Sequence, residues 1–316
     1  MNIQLVTPAP LTINNGNKIT ALRWATILKK LGHRVRVRQI YDGKTCDALI
    51  ALHALRSAES IRRFHEAHPA KPLIVVLTGT DVYRDIHQNK ESQQSLEFAT
   101  RLVALQKLAL LELPTRFRGK TKVIYQSAEQ LPGIPKRHKD RFEVCVIGHL
   151  RDEKDPLRTA MAVRDLPRQS RIVVTQVGLA LDKGIEKEVK AEVKRNSRYR
   201  WLGQLSHRKT RALLAQSKLV TITSKMEGSS NVLSEALVSG VPVIASKISG
   251  LMGTLGKRFA GYFPVGDTKT LRRLLLRAES DREFYRLLKR QCRSLAHIVK
   301  PKKELAAWKQ LFQELV

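Results

Sequence analysis

The chain has 316 residues, a formal net charge of +30 at pH 7 and 42% hydrophobic residues. This length suits two domains of roughly 150 residues each, and the composition is that of a globular protein. No apolar run approaches the ~20 residues that a membrane-spanning helix needs. The N-terminus, MNIQLVTPAP, lacks the basic leader of a signal peptide, and we therefore expect a cytoplasmic protein.

The excess of Lys and Arg favours anionic partners such as nucleic acid, anionic lipid or small phosphorylated substrates. Basic residues recur along the chain rather than in a tail, as in HRVRVR (33–38) and PKRHKDR (135–141). A solvated basic surface is the plainest explanation of this pattern. Because no RNP, KH, zinc-finger or helix-turn-helix signature is visible, we expect no specific nucleic-acid partner.

Three cysteines, Cys46, Cys145 and Cys292, are far apart in the sequence and form no CxxC pair. We expect reduced thiols in a cytoplasm, because a disulfide framework or a zinc site requires closer and paired cysteines.

Short apolar runs alternate with amphipathic segments from the N-terminus onwards. IQLVTPAP (3–10) predicts a strand, and after a polar loop TALRWATILKKLG (20–32) predicts a helix that Gly32 terminates. Further strands are predicted at HRVRVRQI (33–40), DALIALH (47–53), PLIVVLT (72–78) and TKVIYQ (121–126). This alternation of strands and helices indicates a parallel sheet that is covered on both faces.

A second cycle of strands and helices follows LPGIPKRHKDR (131–141), a stretch typical of a linker. Its predicted strands are FEVCVIGHL (142–150), SRIVVTQVG (170–178), RYRWLGQ (198–204), KLVTITS (218–224) and GVPVIAS (240–246). The chain closes with an amphipathic helix, KKELAAWKQLFQELV. We expect consecutive α/β domains at 1–138 and 139–298, followed by the final helix at 299–316. Ligands of such domains bind beyond the carboxyl ends of the strands, which for two domains predicts a site in a cleft.

The segment EGSSNVLSE (227–235) joins the strand KLVTITS to a helix predicted to begin near Ser229 or Ser230. The N–H groups of Gly228, Ser229 and Ser230 and the helix dipole would form an anion site, and glycine allows a phosphate to approach closely. Glu235, about one turn further on, would accept hydrogen bonds from vicinal hydroxyls such as those of a ribose. Glu227, before the helix, would reach the hydroxyls of another sugar. A capped helix with an exposed glutamate is the alternative.

This segment, followed by ALVSGVPVIAS, resembles the E-x7-E region of the family 4 glycosyltransferases, which have the GT-B fold of two Rossmann-like domains facing a cleft. VIGHLRDEKDP resembles the family's loop with phosphate-binding Arg and Lys, and YRWLGQLSHRKTRALLAQSKLVTITS and GYFPVGDTKTLRRLL resemble its flanking segments. The N-terminal match is looser and comprises a first loop (Asn14, Asn15, Gly16), LKKLGHRV and LTGTD. The resemblance implies that the last helix crosses back onto the N-terminal domain.

The resemblance also implies which residues bind the donor. Glu235 would bind the ribose of a nucleotide-sugar, Glu227 the donor sugar, and the backbone from Gly228 through Ser229 and Ser230 to Asn231 would meet sugar or phosphate oxygens. Gly16 in the first loop belongs to the same predicted set.

A lysine and an arginine bind the donor diphosphate in this family. Lys154 matches the lysine, but the arginine falls at His149, and Arg151 is the candidate substitute. Histidine is a weaker cation than arginine, which makes this clamp a departure from the family pattern.

A second departure lies in LTGTD (77–81), where family members often carry His-Gly near the reacting sugar. The matching residue is Thr78, a poor proton acceptor near neutral pH. We expect either that His53, in ALHALRS, supplies basicity or that the acceptor is already anionic and needs no base. Thr78, His53, Asp81 and Glu227 are therefore the candidate catalytic residues.

LTGTDVYRDI and ALHALRSAESIRRF resemble one small branch of the family, the selenosugar synthases of selenoneine biosynthesis. These enzymes join a UDP-sugar, typically UDP-N-acetylglucosamine, to selenophosphate and form a carbon–selenium bond. Arg56 and Arg84 are the candidates for binding the acceptor phosphate, because arginine binds oxyanions in a bidentate manner. We expect no cofactor and no metal, because the sequence lacks the Asp-x-Asp motif that holds Mg²⁺ in metal-dependent transferases.

Two alternatives stay open. One is a family 4 transferase that acts on a hydroxyl of a lipid or polysaccharide precursor, with its basic surface on an anionic membrane. The other is a basic nucleic-acid-binding protein on an inactive GT-B scaffold, against which the presence of both Glu227 and Glu235 speaks.

Overall fold

The structure, a computed structural model, describes residues 1–8, 15–133 and 140–315. By their internal contacts the residues form two compact units. Unit 1 consists of Met1–Gln126, Glu227–Ser230 and Pro301–Val316, and unit 2 consists of Ser127–Met226 and Asn231–Lys300. The boundary predicted between residues 138 and 139 lies outside the described residues.

Each unit is built around one parallel sheet. The strands of unit 1 are β1 (Asn2–Val6), β2 (Arg34–Arg38), β3 (Ala48–Leu52), β4 (Leu73–Leu77), β5 (Arg101–Ala104) and β6 (Thr121–Val123). Those of unit 2 are β7 (Phe142–Ile147), β8 (Ile172–Val177), β9 (Tyr199–Trp201), β10 (Leu219–Ile222), β11 (Val243–Ser246) and β12 (Tyr262–Phe263). The predicted α/β class with two Rossmann-like domains is therefore confirmed.

The strand order determines where ligands bind. The sheet of unit 1 has the order β2-β1-β3-β4-β5-β6, and that of unit 2 has the order β12-β11-β10-β7-β8-β9. The order reverses between β1 and β3 in the first sheet and between β7 and β10 in the second. In open parallel sheets the crevice outside the carboxyl ends of the strands at such a reversal is the ligand site.

Helices connect the strands in both units. They are α1 (Gly16–Lys30), α2 (Ala58–Ala67), α3 (Ile86–Gln88), α4 (Lys90–Phe98), α5 (Ala109–Glu112), α6 (Thr115–Arg118), α7 (Arg158–Val163), α8 (Lys183–Arg195), α9 (His207–Gln216), α10 (Asn231–Val238), α11 (Ser249–Leu255), α12 (Thr268–Ser280), α13 (Arg282–Leu295) and α14 (Pro301–Gln313). A π-helical turn spans Asp81–Asp85, and 3₁₀ turns span Asp152–Lys154 and Ala296–Val299. In the described part of the chain, no helix is long and apolar enough to cross a membrane.

The C-terminal helix packs on unit 1, as the resemblance implied. Trp308 of α14 lies edge-on to Trp24 of α1, with 4.8 Å between the ring centroids. The Trp24 indole donates to Glu304 Oε1 at 2.6 Å, and Arg23 Nε donates to Glu304 Oε2 at 2.9 Å. Glu304 is buried, so this pairing satisfies a charge that would otherwise be costly to bury.

Both sheets have buried cores, and the central strands β3 and β4 of unit 1 are apolar and buried along their whole length. One face of the unit 1 sheet contributes Ile50 and Val76 to the cluster with Trp24 and Trp308, and the other packs against Phe64. Unit 2 has one continuous core around β7, β8, β10 and β11. All three cysteines are buried and free, and burial raises the pKa of Cys145 and of Cys292 to about 12.

Candidate functional site

The loop after β7 lies at the strand reversal of unit 2. Gly148 has a φ of +153°, and its N–H donates to Val177 O at the end of β8 at 2.9 Å. A Cβ on Gly178 would overlap the carbonyl oxygen of Gly148. Glycine is therefore required where the loops after β7 and β8 run against each other.

His149, which stands where the family has an arginine, is held by this second loop. Its Nδ1 accepts the backbone N–H of Leu179 at 3.1 Å. The neutral ring must then carry its proton on Nε2, because Nδ1 is the acceptor. This position therefore carries a ring N–H rather than a guanidinium, and a role of His149 in binding phosphate stays a prediction.

Lys154 and Arg151 follow on the same loop. Lys154 ends the 3₁₀ turn Asp152–Lys154, and its carbonyl accepts the Thr223 hydroxyl at 2.9 Å, which ties this loop to the end of β10. The Arg151 guanidinium is partly exposed and lies 3.7 Å from Glu153. The structure thus places all three predicted phosphate-binding residues on the loop at the strand reversal.

Glu235 lies on α10, which begins at Asn231. Only 6% of Glu235 is exposed, so the alternative of an exposed glutamate is wrong. Its Oε1 is 2.9 Å from Nε2 of His207, and its Oε2 is 3.9 Å from Nε of Arg211. Arg211 is also buried and donates to Glu129 O at 2.7 Å, while its Nε has no hydrogen-bond partner. The buried carboxylate of Glu235 is therefore flanked by two basic side chains of α9.

Sequence reasoning did not identify His207 and Arg211 as partners of Glu235. They lie four residues apart on α9, and residues at that spacing share one helix face. His207 and Arg211 in SHRKTR are visible in the sequence as basic residues, but nothing there indicated that α9 packs beside α10.

The segment Glu227–Ser230 belongs to unit 1 by its contacts and lies on the turn after β4. A Cβ on Gly228 would overlap the carbonyl oxygen of Thr78 and would lie 2.7 Å from Gly79 N. Glycine was expected here for the approach of a phosphate, but the structure gives another reason, which is contact with the Thr78 backbone. Glu227 is 8% exposed. Burial raises the pKa of Tyr83, and the negative charge of Glu227 adds to that rise.

The other predicted donor-binding residues occupy helix starts. Ser230 is buried, while Ser229 and Asn231 are partly exposed where the chain enters α10. Gly16 is the exposed first residue of α1, and the Asn15 side chain accepts the Lys18 N–H at 3.0 Å to cap that helix. Asn14 lies outside the described residues.

His53 follows β3 and is buried, with a φ of +75°. Its Nδ1 accepts the Arg56 N–H at 3.2 Å, so its proton lies on Nε2, which is 2.8 Å from the Thr80 hydroxyl. Both ring nitrogens are thus engaged inside the protein. This geometry opposes the expectation that His53 acts as the base, because its basic lone pair is already used.

Asp81 was a candidate catalytic residue, but its carboxylate is fully buried and faces the backbone. Its oxygens accept N–H groups of Thr78, Gly79, Val82 and Ala54 at 2.6–3.1 Å. Four backbone N–H groups thus share the two oxygens of this carboxylate. The structure therefore shows a structural task for Asp81, and its catalytic role stays a prediction.

Arg56 and Arg84, the predicted acceptor-binding residues, are both exposed, and each lies three residues after His53 or Asp81 in the sequence. Arg56 is three residues after His53, to which its backbone is bonded. Arg84 Nε donates to Asp85 Oδ1 at 2.9 Å, which partly neutralises it. Among residues 1–8, 15–133 and 140–315, no three His, Cys, Asp or Glu side chains cluster as metal ligands, and metal independence stays a prediction.

Comparison with known proteins gives a family and a fold. The model of the family "Glycosyl transferases group 1" matches residues 127–294. HepE from Anabaena, in complex with UDP and glucose, is 16% identical with a TM-score of 0.77 over 99% of this chain and 100% of that chain. Sucrose-phosphate synthase from Thermosynechococcus elongatus is 15% identical with a TM-score of 0.78 over 99% and 98%. A glycosyltransferase from Rickettsia africae is 13% identical with a TM-score of 0.71 over 99% and 98%. The predicted GT-B fold is thereby confirmed.

Proposed function

The chain belongs to the group 1 glycosyl transferases, and from that premise we propose that it transfers a sugar from a UDP-sugar to selenophosphate, forming a carbon–selenium bond. The donor that we propose is UDP-N-acetylglucosamine. The observation that supports a UDP-sugar donor is the buried Glu235 carboxylate, which lies between His207 and Arg211.

Donor binding follows from the residues at the strand reversal of unit 2. Glu235 accepts the ribose hydroxyls, and the N-terminus of α10 faces phosphate or sugar oxygens with its N–H groups. Glu227 accepts hydroxyls of the donor hexose. That HepE is known in complexes with UDP and with UDP-glucose supports a UDP-sugar here.

Departure of UDP is the electrostatically demanding step. The C–O bond between the anomeric carbon and UDP breaks, and the electron pair leaves with the diphosphate. Lys154, Arg151 and the Nε2–H of His149 stabilise that charge, which removes the need for a metal ion. The selenium of the acceptor then bonds to the oxocarbenium-like anomeric carbon.

The proposed acceptor rests on the chemistry of three of the four candidate catalytic residues, which lie after β3 and β4. Thr78 bears a hydroxyl where the family often has a histidine, His53 uses its basic nitrogen for the Arg56 N–H, and Asp81 is saturated by backbone donors. None of these three residues offers a free basic lone pair. An acceptor that is already anionic and strongly nucleophilic needs none, and selenophosphate is such an acceptor. Arg56 and Arg84 supply the complementary charge.

The experiment is a transfer reaction with UDP-N-acetylglucosamine and selenophosphate, followed by mass spectrometry. We expect a sugar with the selenium isotope pattern, formed with release of UDP, and no such product when either substrate is omitted. Binding of UDP without any selenium-containing sugar would refute the acceptor and leave a transferase for a hydroxyl acceptor. Absence of UDP binding would refute the donor as well.

A further inference from the structure

Asp81 joins two loops of unit 1 through backbone hydrogen bonds. Its Oδ1 accepts Thr78 N–H at 2.9 Å and Gly79 N–H at 2.6 Å, and its Oδ2 accepts Ala54 N–H at 3.1 Å. The first two donors lie after β4 and the third lies after β3. One side chain therefore fixes the distance between the ends of two neighbouring strands.

Both loops have backbone conformations that need such support. His53, immediately before Ala54, has a φ of +75°, a region that non-glycine residues rarely adopt. The turn after β4 continues into the π-helical turn Asp81–Asp85, a form that is often found at functional sites. Conformations of this kind persist only where surrounding bonds hold them.

The segment Glu227–Ser230 packs against this turn after β4. Gly228 approaches the Thr78 carbonyl so closely that no Cβ fits, and a Cβ on Gly79 would lie 3.4 Å from Gly228 N. A shift of the turn would therefore displace Gly228, and with it the adjacent Glu227.

We propose that Asp81 is a positioning residue that sets the turn at Thr78 and Gly79 against Gly228 and so fixes Glu227 at the donor sugar. The role of Glu227 in this statement rests on the proposed function. The positioning itself concerns only the backbone of unit 1. The residue acts through Gly228 and touches no substrate.

Hydrogen exchange tests the positioning without requiring activity. Asp81→Asn keeps the side-chain shape but replaces one acceptor oxygen by an N–H₂ group that faces backbone donors. We expect faster exchange in peptides covering 78–82 and, as the diagnostic result, at least about tenfold faster exchange in a peptide covering 227–230. Unchanged exchange at 227–230 in a folded variant would overturn the proposal.

The matched control is Glu304→Gln, the same change at another fully buried carboxylate of unit 1. It lies on α14 and should leave exchange at 227–230 as in the wild type. Acceleration of equal size in both variants would mean a general loss of stability and would also overturn the proposal. If Asp81→Asn does not fold, Gly228→Ala tests the same contact from the other side and should accelerate exchange at 78–82.

Kinetics separates this role from a purely structural one. Misplacing a reacting group by about 1 Å costs on the order of 10²-fold in rate, so kcat of Asp81→Asn should fall about 100-fold. The affinity for UDP should fall much less than kcat, because the proposed contacts of Glu235, Lys154 and Arg151 with the nucleotide lie in unit 2. In the double variant Asp81→Asn/Gly228→Ala the loss should not exceed that of the worse single variant, and multiplied losses would show two independent effects. If the wild type transferred no sugar, the proposed function would fail while the exchange result still stood.

Discussion

Replacing Glu235 by glutamine removes the carboxylate charge and preserves the shape of the side chain. The carboxylate is 6% exposed, so its hydrogen bonds to ribose hydroxyls would be made with little competition from water. Hydrogen bonds to charged groups contribute about 1.5–3 kcal/mol. At about 1.4 kcal/mol per factor of ten, Glu235→Gln should weaken UDP binding about 10- to 150-fold.

The change also leaves Arg211 buried without its carboxylate at 3.9 Å, so folding must be measured first. Arg211 keeps its bond to Glu129 O, which limits the loss of stability. Glu192→Gln is the matched control, because Glu192 is a fully buried carboxylate of unit 2 that also pairs with arginine. This control should lose stability but bind UDP as the wild type does.

Isothermal titration calorimetry with UDP measures the effect directly. A folded Glu235→Gln variant with an affinity within about twofold of the wild type would refute the ribose role, since less than 0.5 kcal/mol would have been lost. An equal loss of UDP affinity in Glu192→Gln would show that reduced stability, rather than a missing ribose contact, weakens binding.

In the transfer assay, Thr78→Ala should keep kcat within about threefold of the wild type. A general base contributes about 10²–10⁴-fold, so a loss of that size would show that the Thr78 hydroxyl takes part in proton transfer. Gly178→Ala should lower the free energy of unfolding in urea by about 2–4 kcal/mol, because a Cβ would overlap Gly148 O at a φ of +154°. Gly119→Ala, in open space, is its control, and equal stabilities would contradict the clash. Burial alone would raise the pKa of Glu192, but hydrogen bonds led by that from Arg164 outweigh it and lower the pKa from its ordinary 4.5 to about 2. The stabilisation from ionised Glu192 is present above about pH 4.5 and is lost as pH falls towards 2. In acid unfolding followed by circular dichroism, the stability of Glu192→Gln should therefore depend less on pH than that of the wild type. Parallel curves of stability against pH for the two proteins would contradict this.

Periodicity located most of the fold. The apolar runs at PLIVVLT and FEVCVIGHL became β4 and β7, because strands buried on both faces are continuously apolar. β5 (Arg101–Ala104) and β12 (Tyr262–Phe263) were not predicted, since RLVA runs into the apolar segment LQKLALLEL without a Gly or Pro between them and β12 has only two residues. They complete their sheets only because neighbouring strands supply the hydrogen bonds.

Part of the candidate site could also be predicted. The loop with His149, Arg151 and Lys154 does follow the strand at the reversal, because chain order alone places it there. The burial of Glu235 could not be predicted, since it depends on how α9 packs against α10.

The turn after β4 shows what local sequence leaves open. LTGTD suggested catalytic residues through its match to the family's His-Gly position, but the Asp81 carboxylate accepts backbone N–H groups from two loops. Such bonds join residues 27 positions apart and have no sequence period. The same holds for Gly228, where an added Cβ would overlap the Thr78 backbone.

The central claim is that the anomeric carbon of the donor becomes bonded to selenium. It is tested most directly by NMR of the product made from selenophosphate enriched in ⁷⁷Se and donor enriched in ¹³C at the anomeric position. We expect a one-bond coupling between ⁷⁷Se and ¹³C that appears as UDP is released. UDP release with an anomeric carbon bonded only to oxygen would contradict the account.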